Sequence, residues 1–203
     1  MTTDRSGRVA GLVLAAGAST RMGQNKLFLE LEGETLLRRV VSRAITADLD
    51  PVIVVLGYEA GKAQRELADL SVQTIVNEDY EKGVNSSVRL GIAAIPANVD
   101  AAVVMLADMP LVTTQMLAKL LTRYRETVAP LVISQYGEVN APPMLYDRSL
   151  FTELQTMEGE GCGRQVVKRH REEAEVVDCP AYALTDVDRP EDYKRMLAHL
   201  NPG

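Results

Sequence analysis

Two cations, Arg21 and Lys26, follow a run of small residues, Ala15, Ala16, Gly17, Ala18 and Ser19, which itself follows the apolar stretch Val9 to Leu14. An apolar run so short, rich in Val and Leu, predicts a strand buried on both faces, as inside a parallel sheet. A buried strand emptying into a small-residue loop lets backbone N–H groups approach an anion closely. Leu14, Ala15, Ala16 and Gly17 are therefore candidate nucleotide-binding positions, and Arg21 and Lys26 supply the charge that a polyphosphate needs. Neither common phosphate loop fits. Gly17 has no glycine two positions on, and the interval from Gly17 to Gly23 is one residue too long for G-x-x-x-x-G-K-[ST], with Gln24 and Asn25 displacing the lysine.

The carboxylates come later in the chain. Asp108 follows the apolar run Ala101 to Ala107 and precedes Met109-Pro110. In open α/β sheets ligands bind outside the carboxyl ends of the strands, which places Asp108 to hold a cation; a turn cap before Pro110 is the other reading. Asp186 and Asp188 alternate along an extended segment and share a side, which is costly unless a cation lies between them. Asp188 reads equally as the cap of a helix opened by Pro190, Glu191 and Asp192. Asn85, Ser86 and Ser87 stand before a helical run, where they either cap it or meet an anion at its N-terminus.

These residues need a scaffold of alternating strands and helices. Thr35 to Ala47 reads as a helix with Leu36, Leu37, Val40, Val41 and Ala44 on one face and Arg38, Arg39 and Arg43 on a solvated one. Val52 to Leu56 and Val72 to Val76 read as strands around a helix from Glu59 to Leu70. Thr113 to Arg125 reads as a helix, Ala129 to Ser134 as a strand, Gly137 to Pro143 as a loop, Met144 to Tyr146 as a short strand and Gln165 to His170 as a helix. That rhythm predicts an α/β fold with a mostly parallel central sheet.

Composition narrows the field. The chain has 203 residues, 46% hydrophobic and 25% charged, with a net charge of −6. This suits one domain over 1–203 with a substantial core. The acidic balance argues against a nucleic-acid coat, no apolar run is long enough for a membrane span, and the first residues lack the apolar region of a signal peptide. Cys162 and Cys179 are too few for a disulfide framework and lack metal spacing, so a reducing cytoplasmic setting is expected. Cys162 reads as a packing residue, His170 and His199 as solvated, and no nucleophilic triad is present.

The string from Leu14 to Lys26 resembles the signature L-A-A-G-x-S-x-R-M-G-x-x-K of molybdenum cofactor guanylyl- and cytidylyltransferases. Asp108-Met109-Pro110 resembles a second signature, D-M-P, and Asp186 to Asp192 a third, D-[IV]-D-T-P-E-D, with Arg189 where threonine is usual. Gly159 to Arg164 is similar to the family's G-D-x-G-A-R. The resemblance implies a three-layer Rossmann-like nucleotidyltransferase, closest to the cytidylyltransferase branch, with a nucleotide-binding half over about 1–110 and an acceptor-binding half over about 111–203. It implies Mg²⁺ at Asp108 and Asp188, with Asp186 beside them, and catalytic roles for Lys26, Arg21 and Asp108. It further implies nucleotide contacts from Asn85 or Ser86, and acceptor contacts near Pro143 and from Arg164. The expected substrates are an NTP, CTP first, and a molybdopterin-type acceptor. Transient contact with a molybdenum enzyme or its chaperone, and a monomer or weak homo-oligomer, are also expected. Many cytidylyltransferase-like members carry G-H-P-V-L-F where this chain has Ala141-Pro142-Pro143-Met144-Leu145-Tyr146, which leaves a sugar or alkyl phosphate acceptor open. A non-catalytic nucleotide- or cofactor-binding accessory protein for molybdenum hydroxylases is the remaining alternative.

Overall fold

A computed structural model describes residues 7–18, 23–157, 161–185, 187 and 189–200. Its organising strand, β1 (Val9–Ala15), is buried along its whole length. Odd-numbered residues of β1 face one core layer and even-numbered ones the other, so an unbroken apolar run serves two faces at once. The helix α1 (Leu36–Thr46) buries its apolar stripe against the first layer, and the Thr35 side chain caps it by accepting the Arg38 N–H.

β4 (Val52–Leu56) pairs parallel with β1, and β5 (Gln73–Val76) parallel with β4. Between them α2 (Ala60–Glu66) is shorter than the expected Glu59 to Leu70. A small antiparallel hairpin, β2 (Glu30–Leu31) with β3 (Glu34–Thr35), precedes α1 and was not anticipated. The chain then crosses through α3 (Val84–Ala93) to β6 (Ala101–Leu106), which pairs parallel with β1 on its other side. After α4 (Thr114–Glu126), β7 (Leu131–Tyr136) and β8 (Val139–Asp147) form a hairpin in which β8 runs antiparallel to both β6 and β7. α5 (Phe151–Thr156) and α6 (Arg164–Arg169) lead to β9 (Glu175–Asp178), parallel to β7, and α7 (Pro190–Leu200) follows.

The sheet order is β5-β4-β1-β6-β8-β7-β9, with β8 alone reversed. α1 and α4 cover one face, and α3, α5 and α6 the other, giving an α/β fold with a mostly parallel seven-stranded sheet. Two expectations are corrected. Gly137 to Pro143 is largely strand rather than loop, because β8 extends through the prolines: their missing N–H groups are tolerated where the ladder with β7 is irregular, between Ile133 and Gln135. The arginines of α1 are only in part a solvated face: Arg38 stays at the surface, while Arg39 and Arg43 turn toward the protein. Arg38 pairs with Asp69, Arg39 with Glu32, and Arg43 Nη1 donates to the carbonyls of Pro110 and Val112.

Candidate active site

β1 and β6 lie side by side with Leu14 opposite Leu106, and both strands end in the same direction. The Ala107 N–H donates to the Leu14 carbonyl at 3.1 Å, so Ala15-Ala16-Gly17 and Ala107-Asp108 leave the sheet together. β4 and β5 extend to one side of β1 and β6 to the other, so the strand order reverses here, the point at which open α/β sheets bind ligands. A cleft of about 450 Å³ opens at this place.

One wall is the loop after β1. Leu14, Ala15, Ala16 and Gly17 all line the cleft, and an added Cβ on Gly17 would meet nothing within 4 Å, so the backbone faces open space. The loop is held from behind. Tyr58 N–H donates to the Ala16 carbonyl at 3.1 Å, and a Cβ on Gly57 would lie 2.6 Å from that same oxygen, so only glycine fits there. Lys26 opens a single 3-10 turn capped by Asn25, whose Oδ1 accepts the Leu27 N–H at 3.1 Å. From that turn Lys26 Nζ donates to Asp108 Oδ2 at 2.7 Å, their side chains 12% and 23% exposed.

Asp108 therefore has one oxygen on an ammonium group, while Oδ1 is buried with no partner among the described residues. An anionic oxygen held out of water without a described donor suits a hard cation. Val187 N–H donates to the Asp108 carbonyl at 3.2 Å, tying the C-terminal segment to the same turn. Arg21, Asp186 and Asp188 lie outside the described residues.

The opposite wall is the entry to α3. The helix starts at Val84, earlier than expected, because Gly83 at φ 95° makes the turn that no other residue adopts freely. Asn85, Ser86 and Ser87 therefore occupy its first turn rather than preceding it. Asn77 Nδ2 donates to the Ser86 and Ser87 hydroxyls at 2.8 and 2.9 Å, and Ser86 Oγ donates to the Gly83 carbonyl at 2.7 Å. Asn85 Oδ1 accepts the Gly163 N–H at 3.3 Å, reaching across to the turn before α6. Ser87, Val84 and Tyr80 line the cleft, whereas Asn85 and Ser86 are buried in the scaffold behind it.

Cys162 also lines the cleft, a position that its reading as a packing residue did not convey. Burial pushes its thiol up to about 12, with the Asp108 charge adding to the effect. Tyr80 falls within Asn77 to Ser87, which sequence reads together with Leu12 to Gly17 as lining the base pocket, whereas Gly57 carried no such signal. Ser87 was legible as part of the same run as Asn85 and Ser86. Of the two acceptor candidates, Pro143 is buried in β8, its carbonyl accepting from Ser134 Oγ at 2.6 Å. Arg164 is exposed at the first position of α6. His170 is not solvated: its Nε2 lies 2.8 Å from Glu153 Oε2. No helix among the described residues is long and apolar enough to cross a membrane.

Residues 11–174 match the model of the MobA-like NTP transferase domain. The purine catabolism protein PucB of Bacillus subtilis is 31% identical over 93% of this chain and 96% of its own length. The molybdenum cofactor cytidylyltransferase of Escherichia coli is 33% identical over 54% of this chain and 56% of its own length. Among solved structures, Rv0371c of Mycobacterium tuberculosis superposes with a TM-score of 0.84 and 26% identity, covering 95% of this chain and 98% of that one. A manganese complex of the same mycobacterial protein gives 0.79 and 25%, over 94% of this chain and 98% of that one. With its cleft at the carboxyl ends of β1 and β6 and a domain match covering most of its length, the chain belongs to the MobA-like NTP transferase family and is a nucleotidyltransferase.

Proposed function

We propose that the protein transfers a nucleoside monophosphate, CMP from CTP, to the terminal phosphate of a molybdopterin-type acceptor and releases pyrophosphate. The observation that carries the nucleotidyl-transfer reading is the Lys26–Asp108 pair at 2.7 Å, set against the Gly17 loop with Asp108 Oδ1 unpartnered among the described residues. The likeness to the Escherichia coli cytidylyltransferase over 111 residues supports the choice of base and acceptor.

The chemistry asks for positioning and charge relief rather than a covalent enzyme intermediate. The acceptor phosphate is already largely ionised at neutral pH, so it attacks the α-phosphorus in line without a general base. In this scheme the backbone of Ala15, Ala16 and Gly17, with Arg21, receives the β- and γ-phosphates. Lys26 donates to the α-phosphate as negative charge builds on it, leaving Asp108 when the nucleotide enters. Asp108 would hold a divalent cation together with Asp188 and Asp186, the neighbours in sequence of the Val187 that is bonded to Asp108. Mg²⁺ bound at these carboxylates would neutralise phosphate charge and polarise the α-phosphate. That a mycobacterial relative was solved as a manganese complex supports a divalent ion in this family.

The departure at Ala141-Pro142-Pro143 favours testing a second acceptor class beside the first. Pyrophosphate release from CTP, GTP and ATP with Mg²⁺ is to be measured with molybdopterin cofactor, with sugar and alkyl phosphates, and with no acceptor. The proposal expects release that requires the cofactor and is fastest with CTP. Cofactor-dependent release with GTP replaces the base assignment. Release only with a sugar or alkyl phosphate replaces the acceptor.

A further inference from the structure

Arg43 stands in the last turn of α1, where a basic side chain ordinarily faces solvent and the helix's own free carbonyls. Its guanidinium instead turns inward. Nη1 donates to the carbonyls of Pro110 and of Val112, 67 and 69 residues away along the chain. Both carbonyls belong to the segment that opens with Asp108. Burial draws the Arg43 guanidinium down to about 10, and Arg39 beside it acts the same way, so it remains a cation at neutral pH.

Other restraints act on the segment at its start, where Lys26 and the Val187 N–H bond Asp108, and through its buried side chains. Pro110 has no N–H to donate. The Met109 N–H reaches back to Leu106 and the Val112 N–H to Met109, both at 3.3 Å, while Met109, Leu111 and Val112 pack in the layer beneath α1 and α4. Two partly buried carbonyls pointing at α1 would lack partners without a donor there, at a cost that a charged donor offsets well. One side chain thus ties the last turn of α1, the helix that packs on the β1 face of the sheet, to the turn that follows β6. The turn after β6 carries Asp108 into the cleft.

We propose that Arg43 is a positioning residue for Asp108: by holding the Pro110 and Val112 carbonyls, it fixes the turn that presents the Asp108 carboxylate to Lys26 and to a bound cation. The inference rests on the reading of Asp108 as a cation ligand. Groups that orient a metal ligand from behind commonly change metal affinity by about 10- to 100-fold when removed.

The test titrates Mn²⁺ alone, with free metal read by electron paramagnetic resonance, into wild type, Arg43→Met, Arg43→Lys and Asp108→Asn, with thermal melts on the same samples. Asp108→Asn is expected to lose the site. Arg43→Met, which keeps the aliphatic bulk, is expected to weaken Mn²⁺ about 10-fold, and Arg43→Lys to recover part of it, since it retains charge and donors. If Arg43→Met does not fold, Arg43→Gln takes its place with the same expected loss. Arg43 variants that melt earlier yet bind Mn²⁺ like wild type, while Asp108→Asn does not, overturn the positioning role and leave Asp108 as the ligand. Wild-type Mn²⁺ affinity in Asp108→Asn overturns the ligand reading, and the inference with it.

Discussion

Lys26 and Asp108 form an ion pair that the proposed transfer would have to reorganise, and this makes the two side chains experimentally separable. In the proposed scheme Lys26→Ala removes charge stabilisation that grows as the α-phosphate is attacked, so turnover is expected to fall by about 100-fold or more with a smaller change in CTP affinity. A loss confined to the Michaelis constant would make Lys26 a binding group only. Asp108→Asn keeps the shape and a hydrogen-bond acceptor for Lys26 but removes the charge, so pyrophosphate release is expected to cease while the melting temperature changes little. Retained turnover would remove Asp108 from the catalytic set. Cys162 offers a check on the electrostatics of the same cleft. Its thiol is held at about 12 by burial and by the Asp108 charge. Burial likewise raises Cys179. The thiolate is the nucleophile, and at pH 8 a thiol with a pKa of about 12 is ionised to roughly one part in ten thousand. Iodoacetamide at pH 8 is expected to leave both cysteines unmodified in the native protein and to alkylate both in denaturant, read by intact mass.

Among the elements, those whose burial follows from their own residues were legible in sequence. The all-apolar runs of β1, β4 and β6 and the apolar stripe of α1 each specify their environment locally. What sequence did not convey depends on partners outside each element's own period. The arginines of α1 carry the same helical period whether they face water or reach Asp69, Glu32 and Pro110, so periodicity alone reads them as solvated. The double proline reads as loop because it cannot donate to a ladder, yet β8 carries it through an irregular stretch beside β7. The loop after β1 was legible as a phosphate candidate from its small residues, but not the support behind it, since Gly57 lies beyond a different strand. That support is testable. A Cβ on Gly57 would lie 2.6 Å from the Ala16 carbonyl oxygen and 2.8 Å from Tyr80 Cβ, both parts of cleft-lining residues. Gly57→Ala is expected to cost about 1–3 kcal/mol of stability through overpacking and to weaken CTP binding by displacing the loop. A variant with lowered stability and unchanged affinity for CTP would show that the loop absorbs the shift.

For the whole molecule, the proposed division into a nucleotide-binding half over about 1–110 and an acceptor-binding half over about 111–203 concerns function alone, and the packing argues against two folding units. β8, from the second half, is inserted next to β6, from the first, with Val103 opposite Leu145 and Val104 opposite Met144. Both core layers draw residues from both halves: Leu37 and Met105 with Leu120 and Val132 on one face, Leu12 and Ile92 with Ile133 and Leu154 on the other. Tyr124 Oη donates to Asp147 Oδ2 at 2.7 Å, and the Arg148 N–H to the Asp100 carbonyl at 2.7 Å, which bind α4 and the end of β8 to the start of β6. A fragment ending near residue 110 would expose the edge of β6 and leave the apolar faces of β1 and β6 partly uncovered, an aggregation hazard as well as a loss of burial. The chain is therefore expected to unfold in urea as one cooperative transition, with far-ultraviolet circular dichroism and tyrosine fluorescence coincident. The isolated 1–110 segment is expected not to fold. Two resolved transitions, or a folded 1–110 fragment that binds CTP, would instead assign the nucleotide half its own stability. The Asp108 turn, at the junction of the two halves, would then owe its geometry to docking rather than to a shared core.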